Sequence, residues 1–423
     1  MVVQRLGRLP LWQPLGAHDF RLLFTGESVS MVGSQFTSVA LAWLGFQITG
    51  SGLALGTVFA VGGIPQLLLM LLGGATTDRF SPWRVMAVAN VVFTVITASL
   101  SVLAFLNAVH LWHLYIASFV FGVGGAFVFP AVFSLIPRTL ATDQLNAGNG
   151  LMESTNALTS FLGPSLAGIV VALGGRSSGT GIAFAIDASS FAFALLTLLW
   201  MSDRCKRREV VIEDGAPYPQ SGVRNLFFSI REGVSIAWQD MGLRTFLLLL
   251  MVNNLAFYGP YRVGLAALAA HRFPEGAAAL GTLYGAWGAG ALVGAFLAGF
   301  LRTLRRYGLL MLAGAAVQGT GFVLLGFAPN VVIAVGLVVI IGVRGGVGNV
   351  IFGTWLQMRS APDMLGRVMS LVGVANLGLT PLSFALSGAL VDVNPTLTFV
   401  LAGGLVLVVT VGASMSRTVR AMR

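Results

Sequence analysis

Twelve apolar stretches, most separated by only a few polar residues, run the length of this 423-residue chain. A hydrocarbon core about 30 Å thick takes roughly 20 apolar residues per helix, and each stretch is long enough to cross it. In the first half they cover 20–48, 52–77, 84–107, 112–138, 148–173 and 181–202; in the second, 242–270, 277–301, 308–327, 331–358, 365–391 and 396–416. Charged residues make up 9% of the chain and the mean hydropathy is +0.86, whereas a soluble domain carries roughly 25% charged residues. So few charges leave no water-soluble surface. The expected fold is an all-α integral membrane protein, which excludes a single-pass receptor and a soluble enzyme on an anchor.

The 54 glycines lie mostly inside the apolar runs, where small residues let helix backbones approach closely in lipid. Cys205 is the only cysteine, which excludes an intrachain disulfide or a cysteine-based metal site. The net charge of +10 is carried almost wholly by arginine, and Lys206 is the single lysine. With no GxxxxGK[ST] there is no P-loop. Placing both termini inside puts 21 of the 25 basic residues on the cytoplasmic side, as the distribution of Lys and Arg in membrane proteins requires. Arg176 and Arg272 then lie outside, and Arg262 and Arg344 lie within spans. The first span is too long for a cleaved signal peptide.

One long connection, 203–241, divides the chain six plus six. It opens charged (DRCKRREVVIED), and Val223, Leu226, Phe227, Ile230, Val234, Ala237 and Trp238 then recur at helical spacing. This predicts a helix lying on the inner membrane surface, a strap across the base of the bundle. The expected units are 1–202, the linker 203–241, and 242–423. The halves echo one another: Gly74 and Gly299, and Met86 and Met311, are each 225 residues apart, and Pro164 and Pro381 are 217 apart. Such repeats are a feature of secondary transporters.

With these repeats, the loop Gly74-Ala-Thr-Thr-Asp78-Arg79 resembles the GxxxDR motif that joins helices two and three in the major facilitator superfamily. Ser81 and Pro82 replace the usual following residues, and Arg84 carries the remaining charge. The resemblance covers nearly the whole chain and implies twelve transmembrane helices in two six-helix bundles. It also implies that Asp78 faces the N-terminus of helix eleven, near Leu365, as part of a cytoplasmic gate; a carboxylate is favourable there. Gly163-Pro164-Ser165-Leu166-Ala167-Gly168 is similar to the helix-five motif of the superfamily's exporters. FRLLFTGE, IREGVSIAW, LGRVMS and PYRVGLAALA resemble the drug-exporter subgroup that includes macrolide and enterobactin exporters. Ser118, rather than an arginine, precedes Gly122 and Gly124 in span four, a departure from the family's antiporter pattern.

Ionisable groups within spans are costly and mark functional positions. In the family, helices one, four, seven and ten line the cavity, which makes Glu27, Arg262 and Arg344 cavity candidates. Arg344, near mid-span, requires an anion, carbonyls or water; Arg262 is closer to the outer end, where it can snorkel. A carboxylate alternating between wet and dry surroundings exchanges a proton with them, so Glu27 is the first proton-coupling candidate. Asp187 and Glu153 come second, because family helices five and six pack mainly behind the cavity. His110 and His113 have metal-like spacing without nearby carboxylates and suit an interfacial role better. No set of nucleophile, base and metal ligands converges, so neither an enzyme nor a cofactor is expected.

The expectation is a proton-coupled exporter of amphipathic small molecules in the bacterial cytoplasmic membrane, a monomer with both termini cytoplasmic. Its partners are substrate, protons and the bilayer, and nucleic acid is not among them. The alternatives are a siderophore or lysophospholipid transporter on the same scaffold, and a scaffold or receptor without transport.

Overall fold

The computed structural model describes residues 10–79, 81–174, 178–203, 241–301, 307–359 and 372–415. The linker with its amphipathic segment, Cys205, and the start of span eleven at Leu365 lie outside the described residues. Gly74, Asp78 and Arg79 fall where only the backbone helix is described.

Among the described residues, eleven helices are long and apolar enough to span a membrane. In the first half these are α1 (His18–Thr49), α2 (Gly52–Arg79), α3 (Pro82–Phe105), α4 (Leu111–Thr139), α5 (Leu145–Leu173) and α6 (Thr180–Trp200). The twelfth span, α7, joins Met241–Gly259, a π-helical turn Pro260–Gly264 and Leu265–His271. There follow α8 (Ala277–Leu301), α9 (Tyr307–Gly326), α10 (Val331–Arg359), α11 (Val372–Val393) and α12 (Pro395–Met415). Large apolar side chains such as Val95, Phe129, Phe296 and Val408 are exposed, as expected where the surrounding solvent is hydrocarbon.

Helices α1 to α6 pack into one bundle and α7 to α12 into another. The bundles meet along two seams, α2 against α11 and α5 against α8. Both seams are rows of glycine. Gly168 and Gly281 face each other so closely that a Cβ on Gly281 would lie 2.8 Å from Gly168 N. On the other seam, the Gly52 carbonyl occupies the place of a Gly388 Cβ, 2.5 Å away. Gly56 and Gly281 are repeat partners, 225 residues apart; Gly56 meets the Phe384 carbonyl and Gly281 the Pro164 carbonyl. The prolines paired by sequence, Pro164 and Pro381, thus lie on equivalent seams.

Among the described residues the core is unequal at the two ends. Towards the α1–α2 turn at Gly50 and Ser51, one apolar cluster takes Leu44 and Leu55 from the first bundle together with Leu268 and Leu325 from the second. Towards Arg84, a separate cluster is built from Phe20, Met86, Leu135, Leu151 and Leu198, all of the first bundle. There Asp19 also ties α1 to the end of α6, accepting from Ser202 N at 2.8 Å and Ser202 Oγ at 2.5 Å. The bundles are therefore fused by a common core at the Ser51 end.

Candidate functional site: a cavity between the bundles

A cavity of about 760 Å³ lies mainly against the second bundle, a size suited to a drug-sized molecule. Gln35 of α1 and Ser160 and Pro164 of α5 contribute from the first bundle; α7 to α12 supply the rest. Its apolar wall includes Phe257, Tyr261 and Trp287. Phe257 stacks on Tyr261 at 5.3 Å between ring centroids and lies 5.9 Å from Trp287.

Arg262 sits in the π-helical turn of α7, and the turn has an identifiable cause. The Gly259 N–H donates to Ser383 Oγ at 2.7 Å, and the Ser383 hydroxyl donates to the Leu255 carbonyl at 2.5 Å. A hydroxyl from α11 is thus inserted into the i→i−4 ladder of α7 between the two groups that would otherwise pair, a recognised origin of helix distortion. Pro260 follows directly and has no N–H to restore the ladder. The distorted turn presents Arg262 to the first bundle, where its Nη1 donates to Ser38 Oγ of α1. The guanidinium carbon lies 5.8 Å from the Tyr261 ring and 5.5 Å from the Tyr284 ring, within cation–π range. Tyr284 donates to the Arg262 carbonyl at 2.9 Å. Snorkelling to the outer surface, one expectation for Arg262, is replaced by this inward cross-bundle anchorage.

Arg344, on α10, lines the same cavity. Its stem lies over Gly314 of α9, where a Cβ would stand 3.2 Å from Arg344 Cγ. Its Nη1 donates to Gln318 Oε1 at 2.5 Å. The structure therefore brings together three predicted residues, Arg262, Arg344 and Pro164, around one space. Gly163 and Gly168 serve packing instead. A Gly163 Cβ would come 2.6 Å from Gln35 Cγ, and Gly168 forms the α5–α8 seam. The placement of helix five behind the cavity is corrected here, because Ser160 and Pro164 form part of the wall.

The acidic candidates lie elsewhere. Glu27 shares a face of α1 with Ser38, eleven residues on and about 16 Å along the axis, but is not among the cavity-lining residues. Asp187 is fully buried inside the first bundle, against Gly33 of α1. Ser190 Oγ donates to its Oδ1 at 3.2 Å, whereas its Oδ2 has no partner among the described residues. Glu153 is exposed near the start of α5, and Arg84 is exposed on α3. His113 Nδ1 accepts from the His110 N–H at 2.9 Å, and the pair forms a capping arrangement at the start of α4.

Asp392 was not singled out by the sequence. At the end of α11, it accepts from Ser51 Oγ at 2.8 Å, Gly52 N at 2.5 Å and Leu53 N at 3.1 Å, crossing from one bundle to the other. The available signal was an acid beside a Pro-led helix start, DVNP, which many loops contain. Gln318 and Ser383 had no signal at all, being ordinary polar residues in long apolar runs.

Residues 23–379 match the Major Facilitator Superfamily. The chain belongs to this superfamily. It is similar to macrolide efflux protein A of Streptococcus pyogenes, with 23% identity over 414 residues covering 95% of this chain and 96% of that one. The multidrug efflux pump Tap of Mycobacterium tuberculosis is 26% identical over 386 residues, covering 88% of this chain and 87% of Tap. The enterobactin exporter EntS of Shigella boydii is 25% identical over 378 residues, covering 88% and 85%. Among solved structures, a mutant of the nucleoside transporter NupG has the same fold, with a TM-score of 0.73, 14% identity and coverage of 94% and 99%. A bacterial homologue of the iron transporter ferroportin, in its inward-facing state, gives 0.71 at 17% identity, covering 94% and 99%. The superfamily protein described here is a multi-pass membrane transporter of small molecules, with efflux proteins among its relatives.

Proposed function

We propose that this transporter is a proton-coupled exporter of amphipathic small molecules in the bacterial cytoplasmic membrane, working as a monomer with both termini cytoplasmic. The observation that carries the reading is the cavity between two bundles that share, among the described residues, a core at the Ser51 end. With that orientation the Ser51 end is extracellular and the conformation is closed to the outside. Substrate enters from the cytoplasm or inner leaflet, and rocking about the glycine seams exposes it to the other side. The units 1–202, 203–241 and 242–423 are the two rocking bodies and the strap between them. The gate of the opposite state is assigned to the Gly74, Asp78, Arg79 and Arg84 loop facing the start of α11.

For coupling, Glu27 and Asp187 are the candidates, with Glu153 third because it is exposed. Glu27 lies on the face of α1 that leads to Ser38 and Arg262, so its surroundings change when the bundles rock. Asp187 is buried with only the Ser190 and Thr37 hydroxyls facing its carboxylate; a proton on it would remove a charge that no cation balances among the described residues.

The test is substrate-dependent proton movement in proteoliposomes, screened over dyes, antibiotics, siderophores and lysolipids. Proton flux that appears only with substrate supports the reading. Substrate accumulation indifferent to an imposed pH gradient removes proton coupling, and no accumulation of any substrate class removes export.

A further inference from the structure

The hydrogen-bonding inventory of the cavity wall is lopsided. Among the described residues it contains two arginines, Arg262 and Arg344, and no aspartate, glutamate, lysine or histidine. A cationic ligand would find no countercharge on this wall. Three lining residues carry a buried side-chain polar atom without a partner among the described residues: Gln318 Nε2, Trp287 Nε1 and Asn253 Oδ1. The first two are donors. The third belongs to an amide whose oxygen and nitrogen exchange places by a half-turn about its terminal bond.

One of these donor side chains is bonded to Arg344, and another stands over the next residue of the same helix. Gln318 is 1% exposed; its Oε1 takes one Arg344 N–H, which leaves its own NH₂ without an acceptor. The Trp287 indole edge faces Gly345, the residue beside Arg344, with Nε1 3.8 Å from where a Gly345 Cβ would stand. A guanidinium has five N–H donors and no acceptor, and one bond from Arg344 is described. Buried donors left unmade are costly, so this cluster is organised around an acceptor the protein does not itself supply. Arg262 differs, since its guanidinium is already engaged with Ser38 and two tyrosine rings.

We infer that the cavity binds amphipathic organic anions, with the anionic group on Arg344, Gln318 Nε2 and Trp287 Nε1 and an aromatic body against Phe257 and Tyr261. The inference rests on the cavity being the transport site but specifies what the export reading leaves open. An acidic aromatic metabolite and a lipid phosphate share the anionic chemistry; the aromatic wall favours the former.

The experiment measures binding to the purified full chain in a non-ionic detergent, by thermal stabilisation and by quenching of tryptophan fluorescence. The probes are 1-naphthoate, its size-matched cation 1-naphthylmethylammonium, and dodecyl phosphate. Naphthoate should bind at least tenfold more tightly than the cation, and Arg344→Gln should abolish that preference. Trp287→Phe and Gln318→Leu, which remove single donors, should each weaken naphthoate several-fold while leaving the cation unchanged. They carry the test if Arg344→Gln does not fold. Equal binding of anion and cation, no binding of either naphthyl probe, or variants that leave naphthoate unaffected would overturn the inference. Tight dodecyl phosphate with no naphthoate would overturn the aromatic assignment in favour of lipid. Because binding is read without a gradient, Arg344-dependent anion binding in a protein that moves nothing in liposomes sinks the export reading alone.

Discussion

Asp392 at the end of α11 caps the first turn of α2, its carboxylate accepting the Gly52 N–H at 2.5 Å. A charge of one bundle thereby satisfies the helix terminus of the other, where unpaired N–H groups and the helix dipole both favour an anion. Asp78 is proposed to do the same at the other end, for α11. Two acids at opposite ends of the same helix pair would then hold alternate states.

Asp392→Asn should open the Ser51 end. It keeps one acceptor but loses the charge, worth about 0.3–1 kcal/mol at a helix N-terminus, a roughly two- to fivefold change in population. Val391→Cys, buried against Gly52, reports the change in a Cys205→Ser background. A membrane-impermeant maleimide should label it faster when Asp392 is Asn; an unchanged rate removes the cap from the gating cycle.

Asp78→Asn should act in the opposite sense, raising the population open at the Arg84 end and lowering transport with little change in expression. In the same Val391→Cys background, labelling should slow. Normal transport with unaltered labelling would remove the gate assignment.

Gly281→Ala places a Cβ 2.6 Å from Gly168 Cα, and overpacking of this kind costs about 1–3 kcal/mol. The Val391→Cys label should again react faster, and the thermal midpoint should fall. Gly404→Ala on α12, where a Cβ would meet nothing within 4 Å, is the matched control and should leave both readouts unchanged.

Ser383→Ala leaves the Gly259 N–H and the Leu255 carbonyl without the hydroxyl that joins them. If α7 stays distorted, the loss is about 1–3 kcal/mol for a buried unsatisfied group, seen as a lower thermal midpoint. If the ladder closes instead, Arg262 turns away from Ser38, and transport falls while stability holds. Neither change would show that the hydroxyl does not cause the π-helical turn.

Glu27→Gln and Asp187→Asn separate the two coupling candidates. The variant that removes the proton carrier should abolish uphill export in liposomes under a pH gradient while sparing downhill exchange. If both still concentrate substrate as wild type does, neither carboxylate carries the proton.

The helices were legible because a bilayer makes hydropathy almost a direct readout of span. Arg262 and Arg344 were legible for the same reason, as charges in lipid stand out. The surroundings of those charges were hidden. Gln318, Trp287 and Ser383 are ordinary residues whose meaning comes from which helix stands opposite, and a single sequence does not encode that locally. The interruption of α7 was hidden too, because its origin is a hydroxyl 124 residues away from Gly259. Asp392 was missed because a loop acid is unremarkable until its partner helix is known.

The glycine seams have a mechanical consequence. Where Gly52 meets Gly388 and Gly168 meets Gly281, backbone lies against backbone, so at these points no pair of side chains must be re-sorted when one bundle tilts against the other. Such a contact behaves as a bearing: it holds the separation of two bodies while resisting their relative rotation only weakly. Resistance then comes from the shared core at the Ser51 end and from fittings at the rim, of which Asp392 is one. Substitutions along the bearing should therefore alter how closely the two bodies sit as well as how smoothly the protein cycles, and substitutions at the rim should alter only which way it rests.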